Sequence, residues 1–204
     1  MKFLNYILNG FSRVLSVDAE FLSDSTGTIP QRILCLVFKD IKSPTQEVFR
    51  YWVDGQDHVP PFFDYEDCLF ISFNAVAEHG VFLKLLHGQP KYMVDCFVEN
   101  LCLYAPFISK NKSGLIDTCD RYNIPSISKE QKDRELDVIL RRNEHEGKPF
   151  DYTKEEQDRI LDYCQSDVEE TAQLFISQMI DIEKKKVIAR GVSQKLKRTE
   201  YPQT

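Results

Sequence analysis

Asp18 and Glu20 stand two residues apart in Leu15–Phe21, LSVDAEF, a stretch whose apolar residues mark it as a buried strand. Side chains alternate faces along a strand, so the two carboxylates point the same way. Like charges on one face repel, and burying them unpaired is costly. Two further acids raise the same question. Glu78 lies four residues after Asn74 in FISFNAVAEHGVF, about one turn into a helix that follows an apolar strand. Asp167 lies four residues after Tyr163 in YCQSDVEET, so the two stack on one helix face. Each acid alone has an ordinary reading. Asp18 and Glu20 suit a wet strand face, Glu78 a first helical turn favoured by the dipole, and Asp167 a boundary position with a local bond. Together they are four hard oxygen donors with no His or Cys among them, a set that suits Mg²⁺ or Mn²⁺. Two such ions ~4 Å apart would stabilise the attacking and leaving oxygens of an in-line displacement at phosphorus. Cations would also relieve the repulsion and hold a phosphodiester against an acidic protein.

Bringing the four acids together is the task of the elements. Arg13–Phe21, Arg32–Lys39 and Glu47–Val53 read as strands. The turn-rich connections between them are short enough for an antiparallel meander. A fourth strand, Cys68–Phe73, leads at once into a helix over Asn74–Leu86, with Asn74 placed as its N-cap. A fifth short strand covers Tyr92–Cys96, and helices are expected near Ser113–Tyr122, over Lys129–Asn143 and from Thr153 onward. The last begins with a capping box, Thr153-Lys154-Glu155-Glu156. Ile160, Cys164, Val168, Ala172, Phe175 and Met179 form its apolar stripe, with Tyr163 and Asp167 one position off. This order predicts an α/β fold: one mixed sheet, an antiparallel meander extended by parallel strands, with helices on its faces. With the first strand beside the fourth and the last helix across the first, Asp18, Glu20, Glu78 and Asp167 converge from three elements.

The bulk properties fit such a protein. The chain's 204 residues are enough for one domain with a sizeable core, and no run approaches a membrane span. MKFLNYILNGFSRVL lacks the continuous apolar core and small-residue cleavage site of a signal peptide. Six scattered cysteines without a C-x-x-C pair read as buried free thiols in a reducing, cytoplasmic setting. The net charge of −6 is uneven: residues 183–204 carry +5, leaving −11 for residues 1–182. An acidic body argues against nonspecific nucleic-acid binding through a basic surface, but not against a site where bound cations reverse the local charge. The expected division is a domain over 1–182 and a basic tail or linker over 183–204.

The motifs resemble those of the DEDD superfamily of 3′–5′ exonucleases, which have an RNase H-like fold. VDAEF is similar to the first motif, D-x-E; FNAVAEHGVF to the second, an Asn followed by an acid; YCQSDVEET to the third in its Tyr form, Y-x-x-x-D. The His form would need a His five residues before Asp167, where this chain has Asp162. The segments GLIDTC, YNI and ILDYCQSDV resemble the exonuclease domains attached to family A DNA polymerases, particularly phage-type ones. The likeness runs over roughly 13–182.

The resemblance implies Asp18, Glu20 and Asp167 as metal ligands, and Glu78 in the place of the second-motif acid. Tyr163 would orient the attacking water. The superfamily usually has Asp where this chain has Glu78, one methylene longer. The implied reaction is hydrolysis of the terminal phosphodiester of a single-stranded or frayed DNA 3′ end, releasing nucleoside 5′-monophosphates with two Mg²⁺ or Mn²⁺ ions. Phe21 and Leu22 are expected as a wedge or stacking surface at the terminal base or as core, and Asn74 as a nucleotide contact or a cap. Lys132, Arg134, Arg141 and Arg142 are read as a solvated face or a phosphate-backbone contact. His58, His79, His87 and His145 are read as surface or boundary residues. The chain ends at Thr204, so the expectation is that no polymerase domain follows; the basic tail would be the end of a linker to one, or a partner contact. Two alternatives stand beside this reading: an RNA exonuclease of the RNase D or oligoribonuclease kind, and an inactive RNase H-like nucleic-acid-binding module.

Overall fold

The computed structural model describes residues 2–23, 30–54, 66–85, 89–104, 113–140 and 151–185. Arg141, Arg142, His58, His87, His145 and the tail from 186 onward lie outside them. Five strands form one sheet: β1 (Arg13–Ser23), β2 (Pro30–Asp40), β3 (Val48–Trp52), β4 (Cys68–Ser72) and β5 (Tyr92–Asp95), in the order β3-β2-β1-β4-β5. β1 pairs antiparallel with β2 and parallel with β4, so it is central, as its apolar flanks require. This mixed α/β sheet with helices on its faces is the RNase H-like arrangement. The helices are α1 (Lys2–Asn9), α2 (Val76–Leu85), α3 (Cys96–Tyr104), α4 (Leu115–Tyr122), α5 (Lys129–Leu140) and α6 (Lys154–Lys185). Helix α6 runs past residue 182, so the expected boundary there falls inside a helix. Among the described residues, no helix is long and apolar enough to cross a membrane.

Alternation along β1 sorts the core. Leu15, Val17 and Ala19 pack with Val81 and Phe82 of α2 on one face. On the other face, the apolar residues of β1, β2 and β4 meet α6, whose Ile160, Cys164, Val168, Ala172, Phe175 and Met179 are all buried. The start of α6 carries the reciprocal capping box: Glu156 N–H donates to Thr153 Oγ1 (3.3 Å) and Thr153 N–H to Glu156 Oε2 (2.7 Å). Helix α1 was not foreseen, although Leu4 and Ile7, one turn apart, are the residues it buries. Of the six free cysteines five are buried and Cys102 is exposed, against the expectation for that one.

Candidate active site

The position of the acids starts from a small residue. Ser16 is fully buried on the α6 face of β1, two residues before Asp18, and its hydroxyl donates to the Val168 carbonyl at 2.9 Å. Val168 follows Asp167, so this bond sets the helix against the strand close to Asp18. Asp18 and Glu20 keep some contact with solvent, yet protein surrounds them closely enough that desolvation dominates their ionisation. Burial, then the charge of Asp167, push the Asp18 carboxyl up to about 7. Burial, then Asp18, raise Glu20 well above the carboxylate range. Asp167 is 8 % exposed; burial raises it, while Lys132 and the Tyr163 hydroxyl hold it down. Asp18, Glu20 and Asp167 therefore share one electrostatic environment, and Tyr163 reaches it through Asp167.

Glu78 reaches the site differently. It is 3 % exposed, and its Oε2 has no hydrogen-bond partner among the described residues. Burial raises its pKa well above normal, with Asp18 the next cause and Asp95 a further one, while Ser72 beside it favours the charge. The helix carrying it begins at Val76, and Asn74 is not its N-cap. Asn74 instead takes a left-handed conformation (φ 71°), which Asn tolerates. The capping carboxylate comes from Asp95 at the end of β5. Its Oδ1 accepts from Asn74 N–H (3.0 Å) and Phe97 N–H (2.9 Å), and its Oδ2 from Ala75 N–H (3.0 Å). One side chain thus ties down the backbone that leads into α2 and caps α3.

Two residues that sequence reasoning had not placed here are Lys132 and Cys164. Lys132 Nζ lies 3.4 Å from Asp167 Oδ2 and 5.5 Å from the centre of the Tyr163 ring. Burial alone would lower its pKa, but Asp167, Asp18 and Glu20 outweigh it and hold the pKa above that of a free lysine. Cys164 Sγ donates to Asp18 Oδ2 at 3.3 Å. Among the described residues, the tightest ligand-capable group is Asp18, Glu20 and Cys164, with atoms within 4.8 Å of one another; Asp167 and Glu78 stand outside it. Burial, followed by Cys35, raises the Cys164 thiol well above its ordinary value, so it serves Asp18 as a protonated donor. The stripe had marked Cys164 only as core. No local pattern could have placed Lys132, which depends on how α5 docks.

The remaining candidates divide. Leu22, on the same face as the acids, packs in the cluster with Tyr163, whereas Phe21 packs on the α2 side of the sheet. Asn74 is exposed. His79 is partly buried on α2, where burial lowers its pKa. Beside Tyr163 a cleft of about 290 Å³ opens between α5 and α6, with Gln131, Glu135, Arg159 and Ser166 on its walls.

The residues fit a divalent cation on two counts. Burial disfavours the ionised form of three carboxylates gathered from β1 and α6, with Asp18 and Glu20 raised further by neighbouring acids, and the buried Glu78 Oε2 has no donor among the described residues. No family model matches the chain, and no curated protein sequence matches it. Among solved structures, Brucella melitensis NrnC is similar, with a TM-score of 0.58 at 14% identity, covering 88% of this chain and 78% of that one. At that identity the likeness is one of fold.

Proposed function

We propose that the chain is a metal-dependent 3′–5′ exonuclease acting on single-stranded or frayed DNA 3′ ends and releasing nucleoside 5′-monophosphates. The observation that carries this reading is that β1 sets Asp18 and Glu20 side by side against α6, where Asp167, with Tyr163 on it, stands near enough for its charge to raise both, and burial disfavours the ionised form of all three. Such crowding is retained where cations offset it. Asp18, Glu20, Glu78 and Asp167 would hold two Mg²⁺ or Mn²⁺ ions, which would supply water activation and charge neutralisation at the phosphoryl oxygens. The chain's own groups do the rest. The Tyr163 hydroxyl, its pKa driven far up by burial and by Asp167, stays protonated and orients the attacking water. Leu22 would meet the terminal base, Asn74 is proposed at the rim of the nucleotide site, and Phe21 supports the strand from the opposite face. The DNA preference, a proofreading role and a polymerase domain or subunit as partner follow from the motif resemblance to phage-type polymerase exonucleases. Residues 1–182 form the domain in this reading, with 183–204 as tail.

The test uses 5′-labelled DNA and RNA of one sequence, single-stranded and duplex, with Mg²⁺ or Mn²⁺. The expected result is stepwise shortening from the 3′ end, faster on single-stranded DNA, with Asp167→Asn slower by about 10³-fold. Faster shortening of RNA would replace DNA as substrate. No shortening of either, with either ion, would leave a nucleic-acid-binding module.

A further inference from the structure

Lys132 occupies a position that is unfavourable on two grounds. It lies in the first turn of α5, where the helix dipole disfavours a cation, and its side chain is partly withdrawn from water. Its placement is fixed by the docking of α5. The Ile127 N–H just before the helix donates to Glu170 Oε1 of α6 at 3.3 Å. Arg159 of α6 holds Glu135 of α5 through two bonds, of 2.6 and 3.2 Å, and Lys129 pairs with Asp117 of α4 at 2.9 Å. With Glu135 engaged by Arg159, the Lys132 ammonium reaches across to Asp167 Oδ2 at 3.4 Å and lies against the Tyr163 ring, near enough to Asp18 and Glu20 for their charges to act on it.

Resting on the metal-dependent reading of this site, we propose that Lys132 is its tethered counter-cation: the ammonium holds the carboxylates together, and a divalent ion loading at the Asp167 corner displaces it. Ammonium and divalent ion favour the same oxygens and repel each other, so each lowers the other's occupancy. Lys132 is then a positioning residue that keeps metal affinity low in the free protein. A phosphodiester entering the site gives the displaced ammonium a new partner, so nucleic acid and metal load together.

Mn²⁺ binding to the full chain without nucleic acid, followed by the EPR signal of free Mn²⁺, tests this. Lys132→Met should bind Mn²⁺ about tenfold more tightly, because a unit charge a few ångström away has been removed from a partly buried site. Lys132→Gln, which can still bond Asp167, should tighten binding as well. Lys132→Arg should stay within about twofold of the wild type because the charge is kept. Asp18→Asn should bind more weakly. A purely structural lysine would leave the affinity unchanged or lower it when replaced. That outcome in folded Lys132→Met and Lys132→Gln, with Asp18→Asn still impaired, overturns the proposal and leaves the site reading intact. Equal binding by wild type and Asp18→Asn overturns both.

Discussion

At the residue scale, the site is a balance of repulsion against function. Asp18 is pushed up to about 7 by burial and by Asp167, so it opposes folding whenever it is ionised without a cation. Asp18→Asn should therefore raise the melting temperature of the metal-free protein by a few degrees and reduce the rise that Mn²⁺ gives the wild type, both read by thermal denaturation. Glu99 of α3 offers a separate check on buried carboxyls. It is 2 % exposed, its Oε2 has no partner among the described residues, and burial followed by Asp95 raises it to about 7 from 4.5. Between those values the folded chain binds a proton that the unfolded chain has lost, so stability falls as pH rises through the window. Glu99→Gln should flatten that slope in urea titrations run from pH 4.5 to pH 7. The carboxylate pairs were legible as residues because D-x-E in a strand and Y-x-x-x-D in a helix each fix a shared face. Lys132 was not, since it is 35 residues from its partner Asp167 and only the packing of α5 joins them.

At the element scale, the strands and α6 were readable because each carries its own period and caps. The α6 stripe is buried along its length, and the capping box closes as its spelling requires. Thr153→Ala should cost ~1 kcal/mol, measured by denaturant unfolding. The entry to α2 was misread because its cap is supplied from a distance. Asp95 lies 20 residues beyond Ala75, so Asn74 after the strand looked like the cap when it is the left-handed turn residue. Helix α2 also approaches the start of β2 closely: a Cβ on Gly80 would meet Pro30 Cδ at 2.9 Å, a ring atom that cannot swing away. Gly80→Ala should therefore destabilise by ~1–3 kcal/mol despite the better helix propensity of Ala, again by denaturant unfolding.

At the scale of the whole molecule, the sheet order β3-β2-β1-β4-β5 is what turns scattered acids into one site. It makes β1 central, lays α6 across the strand that carries Asp18 and Glu20, and brings the end of β4, with Glu78 beyond it, to the same edge. That order was legible from the run of elements, since a meander followed by a strand–helix–strand unit leaves few ways to cover both faces. The finer geometry was not. Cys164 falls closer to Asp18 and Glu20 than Asp167 does, and Glu78 Oε2 finds no partner among the described residues, because side-chain reach depends on packing that no periodicity encodes. The chain carries a net charge of −6, so on the proposed reading a phosphodiester would be held at this edge through bound cations. The most direct measurement is release of labelled mononucleotide from a 3′-labelled single-stranded DNA, by wild type and Asp18→Asn, with Mn²⁺ and with chelator. The account predicts release only by the wild type with Mn²⁺. Equal release by Asp18→Asn, or release that survives the chelator, would contradict it.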